Sequence, residues 1–202
     1  MKEDNNGTIN SLSKILCSII LLVMLSSSLY AQNGNKVTVL YKTAREFAEG
    51  KPSLHIDCKS RNKILLNDFF NKAFVTVTQA DSSFRINKGS LYGYQTCNKN
   101  VFRFLNKMEL LLLNQEEEIL IYRHLVSKPA AGRTNVTNYY FSMGKEGQVL
   151  LLSFKNLKRA FSDNPMFLDL VNSNFKYNTD LAKFDQVQKV YAINLLLKES
   201  RN

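Results

Sequence analysis

The 202-residue chain has the length of one or two domains, with 45% hydrophobic and 22% charged residues. Proportions this close to the globular average exclude a disordered chain, a collagen-like repeat and a disulfide-dense miniprotein. The net charge of +10 favours anionic partners over a range that salt shortens, although solvated lysines that keep a secreted protein soluble give the same sum.

The first predicted element is a leader. Lys14 precedes an apolar run from Ile15 to Leu25, and Ser26, Ser27, Ser28 and Ala31 form a small-residue exit. A run of about 11 residues suits a secretory signal but falls short of the roughly 20 that cross a bilayer as a helix. Cleavage is expected after Ala31, leaving 32–202 as one exported domain with no transmembrane span. Lys2 and Lys14 balance Glu3 and Asp4 in the leader, so the mature domain keeps the whole charge. Two acids and a long stretch before Lys14 depart from the usual compact basic start, and an uncleaved anchor is the rival reading.

In the mature chain, 43–50 (TAREFAEG) reads as a short helix capped by Thr43, with Glu46 three residues on and Gly50 to end it. Short apolar or alternating runs follow, with strands expected at 54–58, 63–66, 74–78, 83–87, 91–96, 101–105, 109–113, 119–126, 136–143 and 148–152. Val75, Val77, Phe84, Ile86, Phe102 and Phe104 are of the types that fit a pleated surface. Residues 97–100 (CNKN) and 144–147 (GKEG) supply the Asn and Gly of tight hairpins. Residues 67–72 (NDFFNK) read as a helical turn or an edge strand, and 129–134 (PAAGRT) as a surface loop.

After Leu152 the period changes. Ser153 can cap a helix that aligns Phe154, Leu157, Lys158 and Phe161, with Lys155, Lys158 and Arg159 crowding one side. Asn164 and Pro165 open a second helix through Phe167, Leu168, Leu170 and Val171. Asp185 is expected to cap a third helix carrying Val187, Val190, Tyr191, Asn194 and Leu195. Strands early and helices late predict an α+β fold: an antiparallel meander, with a barrel-like closure as the open alternative, a short N-terminal helix, and C-terminal helices packed on the sheet.

Several chemistries can be weighed. Cys58 and Cys97 can form one bridge in an oxidising compartment, closing a loop of about 40 residues worth roughly 4 kcal/mol in the chain-entropy model; buried free thiols are the alternative, and the residues leave both open. His55 and His124 are the two histidines, and no zinc, nucleophile-elbow or phosphate-loop spacing occurs. Cys58 with His124 would be a nucleophile pair resting on composition alone. Asp57 and Glu116, Glu117 and Glu118 could be paired carboxylates, but the triple Glu reads as a solvated turn. Asp163, Asp169, Asp180 and Asp185 fit helix starts. Tyr92, Tyr94, Phe102 and Phe104 with Arg103 could stack a sugar or a base, or simply pack a sheet face. Asn135, Val136 and Thr137 match a glycosylation sequon.

The segments YKTAREFAEGKPSL (41–54), ILLNDFF (64–70), LYGYQTCNKNVFRFL (91–105), YYFS (139–142) and NLKRAFSDN (156–164) resemble a family of uncharacterised secreted proteins frequent in Bacteroidota. The resemblance implies an envelope or secreted location and a shared fold, and no activity. The expectation is a periplasmic or secreted, non-enzymatic module without cofactor or metal. It would bind an anionic envelope component or another protein, not nucleic acid, through its sheet or its basic helical end. An enzyme with a dispersed polar site and a carrier of an apolar ligand are the alternatives.

Overall fold

The computed structural model describes residues 36–66, 72–126 and 136–202. The leader expected at 1–31, the loop expected at 129–134, the sequon residue Asn135 and positions 67–71 of the stretch read as a helical turn or an edge strand lie outside these residues.

The fold is α+β. Its strands are β1 Val37–Tyr41, β2 Leu54–His55, β3 Lys63–Leu65, β4 Phe74–Gln79, β5 Ser82–Asn87, β6 Gly93–Thr96, β7 Val101–Leu105, β8 Met108–Leu112, β9 Ile119–Val126, β10 Val136–Met143, β11 Leu150–Leu151, β12 Phe184–Asp185 and β13 Val190–Tyr191. Its helices are α1 Ala44–Glu49, α2 Phe154–Ala160, α3 Pro165–Asn174 and α4 Ala192–Glu199. The large sheet runs β11-β10-β9-β8-β7-β6-β1-β2, and β3-β4-β5 and β12-β13 form smaller ones. Every pairing is antiparallel, and β2 and β11 stand at opposite ends without pairing. The meander is therefore open rather than a closed barrel.

Cross-strand partners share a face, so the registers sort the side chains into two sets. Leu40 opposite Tyr94, Tyr94 opposite Phe102 and Phe102 opposite Leu111 lie on one face, which continues through Arg123 and Tyr139. Two lids cover it. At the β1, β6 and β7 end, Ile64, Val75 and Val77 of the small sheet pack on Leu40, Tyr94 and Phe104. At the β9 and β10 end, Leu157, Phe167, Val171, Ile193 and Leu197 from the helices pack on Ile119, Ile121 and Phe141. The other face gathers Val39, Tyr41, Val101, Leu110, Leu112, Leu120 and Tyr122 beneath Phe47 of α1 and Val149.

Two polar devices hold the lids. Lys88, 3% exposed, follows β5 and reaches Glu109 on β8 at 2.9 Å, while the Tyr94 hydroxyl donates to the second Glu109 oxygen at 2.7 Å. On the helical side the Asn194 amide brackets Ile119, its oxygen accepting from the backbone N–H at 2.8 Å and its nitrogen donating to the carbonyl at 3.0 Å. Asn114 receives the Ile121 N–H at 2.6 Å and donates to the same Ile119 carbonyl at 2.8 Å. Cys58 and Cys97 are joined as a disulfide with Cα atoms 5.9 Å apart, tying the turn after β2 to the β6–β7 hairpin.

Three local readings change. The stretch VTVLY, not expected as a strand, is β1, buried along its whole length. Asp185 caps no helix: its carboxylate accepts the Val187 and Gln188 N–H groups at 2.8 and 2.9 Å inside the β12–β13 turn, and α4 starts only at Ala192. Asp169 stands inside α3 rather than at its start, so the helix dipole gives its position no account.

Candidate binding surface at the helical end

Two capped helices build the most suggestive concavity among the described residues. Ser153 is extended and its hydroxyl accepts the Asn156 N–H at 3.3 Å, which starts α2. Asn164 accepts the Phe167 N–H at 3.0 Å and Pro165 occupies the first turn of α3, where its missing N–H leaves no donor unpaired. Both helices turn an apolar stripe inward, and Phe161 closes on Phe167 with ring centres 4.4 Å apart.

Between them lies a groove of about 410 Å³. Phe154, Leu157, Leu168 and Val171 give it apolar walls, while Lys155 and Lys158 line it from α2 and Asp169 from α3. Both lysines are exposed, as is Arg159 beside them. Three and four residues apart on a helix are neighbours, so α2 presents one cationic margin to one apolar slot. The chemistry on offer is reversible capture of a group that is apolar along its length and anionic at one end.

The other candidate residues disperse. Tyr94, Phe102 and Phe104 fall on the face covered by the small sheet, and Tyr94 stacks on Phe102 at 4.8 Å. Tyr92 and Arg103 fall on the opposite face, where Phe47 stacks on Tyr92 at 5.4 Å. Arg103 is a latch: its guanidinium sits 4.7 Å over the Tyr92 ring and donates to the Gly147 carbonyl at 3.0 Å, the Tyr122 hydroxyl at 3.2 Å and the Lys145 carbonyl at 3.4 Å. Burial, with the Tyr122 phenol nearby, pushes the Tyr92 hydroxyl well above its ordinary pKa, against the opposing charge of Arg103.

Glu116, Glu117 and Glu118 lie in the β8–β9 connection. Burial raises the Glu117 carboxyl, opposed by Asn114, the Tyr191 N–H and Asn194. Glu118 is held below the usual carboxylate range by its hydrogen bonds from Arg201, a two-pronged contact at 2.6 and 2.7 Å. His55 is on the edge strand β2 and His124 on β9, five strands away in the sheet order, and the Cys58 sulfur is bonded to Cys97. The structure thus does not make Cys58 and His124 a nucleophile pair, and among the described residues no group of three His, Cys, Asp or Glu side chains could hold a metal ion. No described helix is long and apolar enough to cross a membrane.

The groove was half visible in the sequence. The two N-caps and the lysines of α2 announce its walls, whereas Leu168, Asp169 and Asn172 join it only because α3 folds back against α2. No family model, curated protein or solved structure matches the chain.

Proposed function

We propose that the chain is an exported, non-enzymatic binding module whose α2–α3 groove seats an anionic amphiphile of the cell envelope, an acyl chain bearing a phosphate or carboxylate head. The observation that carries this reading is one slot with apolar walls and two lysines at its margin. Its volume of about 410 Å³ falls in the range of roughly 300–1,000 Å³ usual for small-molecule sites. The walls would take the chain by burial of methylene groups at about 0.8 kcal/mol each, and the ammonium groups would fix the head. The signal-like leader supports export, and a cystine suits an oxidising compartment.

Titration with dodecyl phosphate below its micelle concentration, followed by NMR, tests the free amphiphile; flotation with phosphatidylglycerol vesicles tests the membrane-embedded one. Each lysine at an exposed site is worth up to about 1 kcal/mol, so Lys155→Gln with Lys158→Gln is expected to weaken dodecyl phosphate about tenfold. Dodecyl maltoside is expected to bind more weakly than the phosphate. Equal binding of the two, together with no loss in the double variant, would sink the reading.

A further inference from the structure

We infer that β5 is the interface of a two-fold homodimer, in which the β5 strands of two copies pair antiparallel and join two three-stranded sheets into one of six. The sheets themselves suggest where a partner strand belongs. Of the four edges of the large sheet and the three-stranded sheet, β2 and β11 are two residues long and β3 is three, whereas β5 is six. Short edges are one way proteins prevent strand addition; β5 is long, holds no proline, no lysine and no acid within Ser82–Asn87, carries Arg85 as its one charge, and pairs with β4 without a bulge.

The register fixes which groups point outward. The β4–β5 turn has two residues, with Gln79 opposite Ser82, and the alternation continues to the Lys88 N–H, which donates to the Ala73 carbonyl at 2.8 Å. Ser82, Phe84 and Ile86 therefore spend their backbone groups on β4, while Ser83, Arg85 and Asn87 turn theirs to the open side. Phe84 lies opposite the buried Val77 yet remains 44% exposed, because nothing among the described residues continues the sheet beyond it.

Symmetry then restricts the pairing to registers centred on a single residue of β5. A two-fold axis normal to the sheet keeps each face continuous and passes midway between a residue and its own copy. Centring on Arg85 would set two guanidinium groups opposite each other, which repel. Centring on Phe84 sets Phe84 against Phe84, Ser83 against Arg85 and Ser82 against Ile86. The outward N–H and C=O groups of Ser83 and Arg85 then exchange hydrogen bonds twice, and the exposed rings cover one another in the closer, non-hydrogen-bonded pair. A contact confined to one strand is small beside standard interfaces, so the dimer is a dissociating one.

Oxidation of the full chain carrying Phe84→Cys tests register and partner together, since residues opposed across the axis have the separation a disulfide needs. The expected result is a covalent dimer from Phe84→Cys, with Ser82→Cys and the unsubstituted protein cross-linking at least tenfold less. Sedimentation of the wild type should show a mass rising with concentration. Ser83→Pro removes an outward N–H that β4 does not use, and should leave the circular dichroism unchanged while abolishing that rise. Cross-linking equal in the two cysteine variants, or a wild type that stays monomeric up to millimolar concentration, overturns the proposal; recruitment of an extended peptide of another protein to β5 by that monomer would assign the edge to a different partner.

Discussion

Replacing Arg103 with methionine tests whether the sheet face bearing α1 is fastened by one side chain. Methionine keeps most of the aliphatic stem but donates nothing. Tyr122 and Ser142 would retain each other at 2.9 Å, and the Lys145 carbonyl would retain the Tyr92 hydroxyl at 2.8 Å. The Gly147 carbonyl, which Arg103 reaches at 3.0 Å, would lose its donor. Such a loss costs about 1–3 kcal/mol, and the cation–π contact over Tyr92 adds about 0.5–1 kcal/mol. Arg103 is half-buried, so the sum belongs near the middle, at about 2–3 kcal/mol. For a chain this size that is roughly 4–12 °C in melting temperature. No carboxylate among the described residues pairs with Arg103, so the loss should hardly vary with salt. Urea unfolding of Arg103→Met and Arg103→Lys at low and high ionic strength measures it, with amide exchange across residues 144–147 as the local readout. A methionine variant within 0.5 kcal/mol of wild type, with no faster exchange in that turn, would refute the latch.

Removing the disulfide with Cys58→Ala and Cys97→Ala opens a loop spanning 39 positions; denaturant unfolding should show a loss of about 4 kcal/mol, and reduction of the wild type should reproduce it. A Cβ added at Gly93 would meet the Phe102 carbonyl oxygen at 2.2 Å, so Gly93→Ala is expected to cost several kcal/mol and to yield little soluble protein, whereas Gly89→Ala, whose nearest atom is the Asn87 side-chain oxygen at 3.2 Å, should be mild. Glu109→Gln removes the carboxylate charge that the buried Lys88 ammonium meets at 2.9 Å and should cost up to about 3 kcal/mol by thermal unfolding; pairing it with Lys88→Met should recover part of that. Burial raises the folded-state pKa of Glu117, so ionisation there opposes folding once pH passes the ordinary carboxyl value, and the penalty vanishes below it. Glu117→Gln should therefore be more stable than wild type near neutral pH and indistinguishable from it at about pH 3, a difference that stability curves at both pH values will show or deny.

Where the fold was legible, short-range chemistry decided it. Thr43, Glu46 and Gly50 bound α1 as their spacing demands, with the Thr43 hydroxyl on the Glu46 N–H and Gly50 at φ 65°. β7, β9 and β10 match the expected 101–105, 119–126 and 136–143, because each lies between clear turn residues. β1 was illegible for the opposite reason: it is covered on both faces, by the small sheet at Leu40 and by Phe47 at Tyr41, so it has no alternation to read. The β12–β13 hairpin was mistaken for a helix because Val187, Val190, Tyr191 and Leu195 fit a helical stripe, and the left-handed residue of its turn is Lys189 at φ 57°, not a glycine. The same blindness holds at the β6–β7 turn, where Lys99 rather than either asparagine takes φ 64°. At the candidate site, each helix could be read but their adjacency could not, since it rests on Phe161 meeting Phe167 across the connection.

That adjacency also constrains how the groove can work. Leu157 and Val171, which line it, are 0% and 1% exposed and belong to the cluster that packs against Ile121 and Phe141 of the large sheet. The floor of the groove and the core of the helical lid are the same atoms. A ligand therefore meets walls already ordered by folding and loses little affinity to arranging them. It follows that changes to Leu157 or Val171 would register first as instability, through a cavity in the core, and that selectivity must be set at the margin, by Lys155, Lys158 and Asp169, whose side chains face solvent. Of these, Asp169 opposes an anionic head. Asp169→Asn should accordingly tighten dodecyl phosphate by two- to threefold while leaving dodecyl maltoside unchanged, and a loss of affinity in that variant would mean that the carboxylate, not the lysines, meets the ligand.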